Sequence, residues 1–295
     1  MLRALFAVGV LCALIGTPAR ADDAEEKAVE FVEGLGGTLE RDEKQTGKPV
    51  VSVSLINTKI TDAGLRELSG FPHLTALYLH DTAVSGTGVK ELVSLKKLTK
   101  LFLGRTAITD TGLKEVAKLT GLTTLFLDGT KITNAGVKEL APLKGLTTLY
   151  LSGTGVTDDV FASVAELKSL QTLDLSATKV TGVGLKQLAG LEGLRELGLA
   201  SSAVTDDALK EVAALKPLTS LALRETKVTD AALKHLAGLG KLEKLDLFGT
   251  QVSDAGLTAL AALDSLTAVI VGKTQVTNDG VKQLRLTLPK CLIFK

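Results

Sequence analysis

Apolar residues recur every 24 residues along most of the chain, between residues 50 and 289. In each unit, leucine or a similar residue fills the first, fourth and sixth positions, threonine or serine fills the ninth, and isoleucine or valine fills the eleventh. A fixed period in this range predicts stacked copies of one supersecondary unit, each too small to bury its apolar face alone. The ten units begin at Val50, Leu74, Leu98, Leu122, Leu146, Leu170, Leu194, Leu218, Leu242 and Leu266.

The pattern within a unit predicts a short strand, a bend and a short helix. In the third unit, Leu101 and Leu103 are the buried residues around the strand Lys100–Phe102, whose side chains alternate in direction. Thr109 or Asp110 is expected to cap the helix that follows. The inner face of this helix has apolar residues at a spacing of three, which are Leu113, Val116 and Leu119. Ten such units predict ten parallel strands on one side and ten short helices on the other.

The ninth position of the unit is expected to turn inward, where a threonine hydroxyl can bond to backbone groups in the bend. Over residues 50–289 the repeat resembles that of the leucine-rich repeat family, in which asparagine or cysteine is usual at this position. The second half of the unit, as in Thr109–Lys114, is similar to F-box-type repeats without their cysteines, and the array most resembles bacterial secreted proteins. The resemblance implies an α/β solenoid, a leucine-rich repeat horseshoe with a concave parallel β-sheet and short convex helices, and a role in interactions.

The first 21 residues have the pattern of a secretory signal peptide. Arg3 supplies the positive charge, Leu5–Ile15 is apolar, and Ala19-Arg20-Ala21 matches an A-x-A cleavage site. The apolar run is shorter than the about 20 residues that span a bilayer, so we expect cleavage and no membrane insertion of the mature chain. Export to the periplasm, the cell envelope or the extracellular space is the expected result.

Both ends of the repeat array are expected to carry caps. Residues 22–49 predict an N-terminal cap, with one amphipathic helix and a possible short strand at residues 38–40. Residues 290–295 predict a C-terminal half-repeat, in which Ile293 is the buried residue of an eleventh strand. Cys291 is the one cysteine left after cleavage, so it cannot form a disulfide within the chain and is expected to pack in the core.

Strand residues that point away from the core vary among the units, although the core positions are nearly constant. At the fifth position four aromatic residues follow one another in neighbouring units, at Tyr78, Phe102, Phe126 and Tyr150. A strand spacing of about 4.8 Å predicts a stripe of about 15 Å. An exposed aromatic patch usually marks a binding surface. Aromatic ladders also stabilise sheets, by up to about 1 kcal/mol for each pair, so packing is the structural alternative.

Polar residues at the third, seventh and eighth positions of the same units complete the predicted binding surface, and these are Lys100, Arg105, Asp128, His80 and Asp81. Mixed charges beside aromatic side chains suit a protein or peptide partner, which makes a non-catalytic binding module the leading hypothesis. The alternatives are an envelope protein that binds a polysaccharide on the aromatic stripe and a structural spacer without a ligand.

Charge and motif content exclude other classes of function. The chain has 34 basic and 33 acidic residues, and loss of Arg3 and Arg20 with the signal peptide leaves it near neutral, so no nucleic-acid partner is expected. The three histidines, His73, His80 and His235, are scattered, and no metal-spaced Cys/His set, G-x-S-x-G motif or phosphate loop occurs. We therefore expect no catalytic residues, no cofactor and no metal.

Overall fold

The computed structural model describes residues 21–295, which contain one 12-stranded sheet with its strands in chain order. The first strand is antiparallel to the second, and every later pair is parallel, as the repeat predicts. The strands are β1 Thr38–Arg41, β2 Val50–Ser54, β3 Ala76–Tyr78, β4 Lys100–Phe102, β5 Thr124–Phe126, β6 Thr148–Tyr150, β7 Thr172–Asp174, β8 Glu196–Gly198, β9 Ser220–Ala222, β10 Lys244–Asp246, β11 Ala268–Ile270 and β12 Leu292–Phe294.

A helical segment follows the strand of each repeat. The α-helices are α1 Ala21–Gly34, α2 Gly86–Val89, α3 Asp110–Val116, α4 Asn134–Lys138, α5 Val160–Val164, α6 Asp206–Val212, α7 Asp230–Leu233, α8 Asp254–Leu260 and α9 Asn278–Thr287. Short 3-10 helices occupy Asp62–Gly70, Lys90–Ser94, Leu185–Gly190 and Lys234–Gly238. In the sixth repeat, Gly182 and Gly184 have left-handed φ values of 94° and 93°, which delays the helix until Leu185.

One continuous core runs through the array, because equivalent apolar residues of neighbouring repeats lie in register. Leu77 is aligned with Leu101, and Leu101 with Leu125, and all three side chains are fully buried. Burial of one leucine side chain stabilises the fold by about 1.5–3 kcal/mol. The core continues to Ile293 in β12, where Cys291 is also buried. Each repeat therefore depends on its neighbours for a dry interior.

The bend after each strand has the same backbone conformation in all ten repeats. Its eighth residue has a left-handed φ, between 51° at Arg105 and 67° at Gly249. The following threonine, or Ser202 in the seventh repeat, donates its hydroxyl to the carbonyl three residues before it, as from Thr154 Oγ1 to Leu151 O at 2.6 Å. The expected inward ladder is observed, with buried threonines at positions 82, 106, 130, 154, 178, 226 and 250.

An aspartate at the start of many helical segments bonds to the next repeat. The Asp110 carboxylate accepts from the backbone N–H and the hydroxyl of Thr133, at 2.8 and 2.6 Å. Thr109 lies at the N-cap position, as expected, but its side chain forms no capping hydrogen bond, and Asp110 binds the following repeat instead. The same link joins Asp158–Thr181, Asp206–Thr229, Asp230–Ser253 and Asp254–Thr277. These carboxylates add a second column of contacts between repeats, on the side away from the sheet.

The segment before the repeats covers the first repeat. β1 pairs antiparallel with β2 and so covers the strand edge of the first repeat. Glu25 of α1 accepts from the Arg41 guanidinium at 2.7 Å and from the Val50 backbone N–H at 3.3 Å, and so joins helix to strand. The predicted signal peptide, residues 1–21, lies outside the described residues except for its last residue. Within the described part, no helix has the length and apolar character needed to cross a membrane.

Candidate binding surface

Four aromatic side chains stand next to one another on the concave face of β3 to β6, and we call them the aromatic row: Tyr78, Phe102, Phe126 and Tyr150. The parallel register aligns each residue with the next. Along the row, neighbouring ring centroids are 4.2, 4.7 and 4.1 Å apart. The two outer pairs are stacked, with interplanar angles of 10° and 8°, and the middle pair is tilted by 35°.

The rings of the aromatic row face one another rather than the solvent. Strands lie about 4.8 Å apart, so an upright ring on one strand meets the ring on the next strand face to face. All four residues are consequently half-buried, whereas the sequence predicts an exposed patch. The ring edges form the accessible surface. Only the outer faces of Tyr78 and Tyr150 are free of another ring of the row.

His80 packs beside the middle of the aromatic row, 5.8 Å from the Phe102 ring and 6.4 Å from the Phe126 ring. Gly104 provides the space, since a Cβ atom there would lie 2.5 Å from Cδ2 of His80. The Nδ1 atom of His80 is buried and has no hydrogen-bond partner among the described residues. Burial lowers the pKa of His80 even though the carboxylate of Asp128 acts in the opposite direction. The neutral form of the ring is therefore favoured.

Three carboxylates lie near the Tyr150 end of the row, one in the Phe126 repeat and two in the repeats that follow Tyr150, and we call them the acidic group: Asp128, Asp174 and Glu196. Burial raises the pKa of Asp128, and the charge of Asp174 raises it further. Burial also raises the pKa of Tyr150, and all three carboxylates add to this effect. Asp174 is the register partner of Tyr150 and so lies on the side of its uncovered ring face. Electrostatically, this end of the row is negative.

The remaining predicted site residues lie at the margin of the row. The Arg105 guanidinium donates to both carboxylate oxygens of Asp81, at 2.6 and 2.5 Å. The hydrogen bond from Arg105 lowers the pKa of Asp81, and the same bond raises the pKa of Arg105. Lys100 is exposed and lies two residues before Phe102 on β4. The structure thus joins His80 and Asp128 to the row, while Asp81 and Arg105 neutralise each other.

A second aromatic site on the concave face was not predicted. The Arg224 guanidinium lies 3.8 Å from the ring centroid of Phe248, and Lys273 Nζ lies 5.4 Å from it. Arg224 is also 4.0 Å from Asp246. The sequence contains a signal for this site, since Phe248 is the one Phe, Tyr or Trp at the seventh position of the repeats. It was missed because a single aromatic residue does not form a row across neighbouring repeats.

Chemically reactive groups are sparse in this part of the chain. Within residues 21–295, no three His, Cys, Asp or Glu residues are grouped so that they could hold a metal ion. The Cys291 thiol is buried, and burial raises its pKa, which disfavours the nucleophilic thiolate.

Comparisons with known proteins agree with this architecture. The sequence profile described as a leucine-rich repeat region matches residues 110–279, more than half of the chain. No curated protein sequence matches. Among solved structures, an internalin (inlF) from Listeria monocytogenes is similar over 96% of this chain and 92% of its own, with 21% identity and a TM-score of 0.60.

A plant protein shows the same fold over a smaller share of its length. It is the leucine-rich repeat ectodomain of the membrane receptor kinase GASSHO1/SCHENGEN3 from Arabidopsis thaliana, in complex with CASPARIAN STRIP INTEGRITY FACTOR 2. The match covers 78% of this chain and 30% of the plant chain, with 16% identity and a TM-score of 0.53. From the matching profile, the repeated unit and the parallel sheet, the chain belongs to the leucine-rich repeat family.

Proposed function

We propose that this protein is a non-catalytic binding module that recognises a protein or peptide through the aromatic row and its polar margin. One observation carries the proposal: the row occupies positions that the sheet does not require to be aromatic. Ser54, Gly198 and Ala222 fill the equivalent positions of other repeats, and the strand register is unchanged there. Aromatic residues at positions where the fold does not require them are typical of a contact surface.

The ring geometry favours a peptide over a sugar polymer. Sugars stack on the open faces of aromatic rings, and the faces within the row are covered by neighbouring rings. The accessible ring edges carry partial positive charge, which suits the carbonyl oxygens of a chain laid across them. A polysaccharide ligand is the second outcome that the experiment below tests.

A similar protein supports a binding role. The plant ectodomain is seen in complex with CASPARIAN STRIP INTEGRITY FACTOR 2, so an array of this fold binds another molecule. Its identity to this chain is 16%, so the comparison supports the class of function and leaves the partner open.

The place of action in this proposal is outside the cytoplasm. The pattern of residues 1–21 supports export with signal cleavage. Residues 22–49 and 290–295 are proposed to remain as caps of the array. Mass spectrometry of the mature protein from its native source tests this, because cleavage after Ala21 yields an N-terminus at Asp22. An intact N-terminus at Met1 would contradict export by this route.

The binding proposal is tested with two variants, each of which replaces two side chains by serine. Partners are captured on the immobilised protein, and the dissociation constant is measured for wild type and for Phe102→Ser with Phe126→Ser. We expect the double variant to bind at least about 30-fold more weakly, because truncation of one aromatic anchor commonly costs about 2 kcal/mol or more. The control, Lys186→Ser with Lys210→Ser on exposed helical positions, should bind like wild type.

Two results would change the conclusion. A partner that binds the aromatic double variant as tightly as wild type would assign the row to cross-strand packing. Binding on a glycan array that depends on Tyr78 or Tyr150, without any protein partner, would favour the polysaccharide alternative.

A further inference from the structure

The concave face changes its charge at the end of the aromatic row. The third, fifth, seventh and eighth positions of repeats four to seven contain the acidic group and no lysine or arginine. Basic residues stand on either side of this zone, with Arg105 in the third repeat and Arg224 in the eighth. The zone spans three strand spacings, about 14 Å, which is the scale of one or two side chains of a bound peptide.

The carboxylates in this zone lack the cationic partners found elsewhere on the same face. Asp81 pairs with Arg105, and Asp246 lies 4.0 Å from Arg224. For Asp128, Asp174 and Glu196, no lysine or arginine among the described residues lies within ion-pair distance. Burial and repulsion from Asp174 raise the pKa of Asp128, and the attraction of a bound cation would offset both effects.

Tyr150 supplies an aromatic face beside these carboxylates. Phe126 covers one face of the Tyr150 ring, and the other face is turned toward β7 and Asp174. The Asp174 carboxylate accepts from the backbone N–H and the hydroxyl of Ser176, and it leans over Gly198 on the next strand. Because Gly198 has no side chain, the carboxylate lies away from the ring and leaves the ring face open.

We propose that this acidic end of the aromatic row binds an arginine or lysine side chain of the partner peptide. The cation would lie on the free face of Tyr150, beside the carboxylate of Asp174, with the carboxylate of Asp128 on the Phe126 side of the ring and Glu196 at the rim. This assignment rests on the proposed function and specifies the partner's chemistry. Arginine should bind more tightly than lysine, because a planar guanidinium stacks on the ring while it pairs with a carboxylate.

The experiment uses peptides of known sequence. A phage-displayed library of random 12-residue peptides is selected on the immobilised protein, and the most enriched peptide is synthesised. Its dissociation constant is measured by calorimetry for wild type and for Asp128→Asn with Asp174→Asn. The matched control is Asp207→Asn with Asp279→Asn, which makes the same change of charge at exposed helical positions that pair with Lys210 and Lys282. The same peptide is also made with citrulline, a neutral isostere, in place of arginine.

We expect the selected peptides to carry arginine next to apolar residues. The acidic-group variant and the citrulline peptide should each bind roughly tenfold more weakly, as expected for loss of a cation–π contact and an ion pair. Combined, they should cost little more than either alone, since both remove one interaction. The control variant should bind the peptide like wild type.

The two proposals fail in different ways. The cation assignment is overturned if the selected peptides lack basic residues. It is also overturned if their affinity is unchanged by Asp128→Asn with Asp174→Asn but falls with Phe102→Ser and Phe126→Ser. Either result is compatible with the proposed binding module. If no selected peptide depends on the aromatic row, both proposals are overturned. The citrulline measurement needs no protein variant, so a folding defect cannot obscure the result.

Discussion

Repeats two to five and repeats six to ten have the same interior and different concave surfaces. Leu149 in the first region and Leu245 in the second occupy the same core position, and both are buried. At the outward fifth position, the first region has the aromatic row, whereas the second has Asp174, Gly198, Ala222, Asp246 and Ile270. The difference separates what folding requires from what it leaves free. The interior and the bend are constant, and the outward strand positions are not.

The two regions also differ in how they satisfy their charges. In the second region, Arg224 covers the Phe248 ring and lies near Asp246, so cation, ring and carboxylate contact one another. At the boundary between the two regions, the ring face of Tyr150 and the acidic group meet without a lysine or arginine of the described residues in ion-pair distance. A surface whose charges pair with one another is typical of a solvated face, whereas a surface with unpaired charges can form ion pairs with a partner.

Truncation of a core leucine should have the largest effect on stability, and the effect should be equal in both regions. Leu149→Ala and Leu245→Ala each leave a cavity in the continuous core, and we expect each to lower the free energy of unfolding by about 2–5 kcal/mol. Denaturant unfolding of each variant gives the values. A cost well below 2 kcal/mol in either region would contradict a uniformly packed core.

Loss of the aromatic row should lower the free energy of unfolding by less than loss of a core leucine. Phe102→Ser with Phe126→Ser removes the three ring contacts within the row and the two with His80, which should lower the free energy of unfolding by about 1–2 kcal/mol. Phe248→Ser with Ile270→Ser in the second region should cost about as much or less. Circular dichroism should show that both variants fold. Unfolding of the first variant alone would make the row a structural requirement.

The threonine ladder should contribute a smaller, equal amount in both regions. Thr154→Val and Thr250→Val each remove a hydroxyl that donates to a backbone carbonyl at 2.6 Å. Each carbonyl keeps a backbone N–H donor, at 3.2 and 3.1 Å, so we expect a loss of about 1 kcal/mol for each variant. If both variants unfold at the same temperature as wild type, the threonine hydroxyls do not contribute to stability.

A pH effect on stability should arise from His80 in the first region. Burial lowers the pKa of His80 below its usual 6.5, so the unfolded chain takes up a proton at a higher pH than the folded chain. Stability should therefore fall as the pH drops through 6.5 toward the folded-state pKa, and then level for this group. His80→Gln should weaken this dependence when unfolding is followed from pH 7.5 to 5. An identical pH profile would show that His80 is solvated in solution.

The sequence predicts the frame of this molecule well, because each constant position has one physical role. Leu101 recurs as the buried strand residue, and Thr106 as the inward hydroxyl, so strand order, register and the row of aligned aromatics follow from the 24-residue period. The parallel sheet and the family were correctly predicted on this basis.

Details set by side-chain conformation could not be predicted in this way. The period aligns Tyr78 with Phe102, but the face-to-face stacking depends on rotamers that cover the ring faces. His80 packs over Gly104 because the neighbouring repeat lacks a side chain there, a relation between residues 24 apart. The link from Asp110 to Thr133 similarly joins two repeats and is invisible within one unit.

The central claim is that the aromatic row, and not the concave face in general, binds the partner. The most direct measurement is the dissociation constant of one partner for Phe102→Ser with Phe126→Ser and for Phe248→Ser with Ile270→Ser. We predict a rise of at least about 30-fold for the first variant and of less than about threefold for the second. Equal dissociation constants for the two variants, both folded, would contradict the claim.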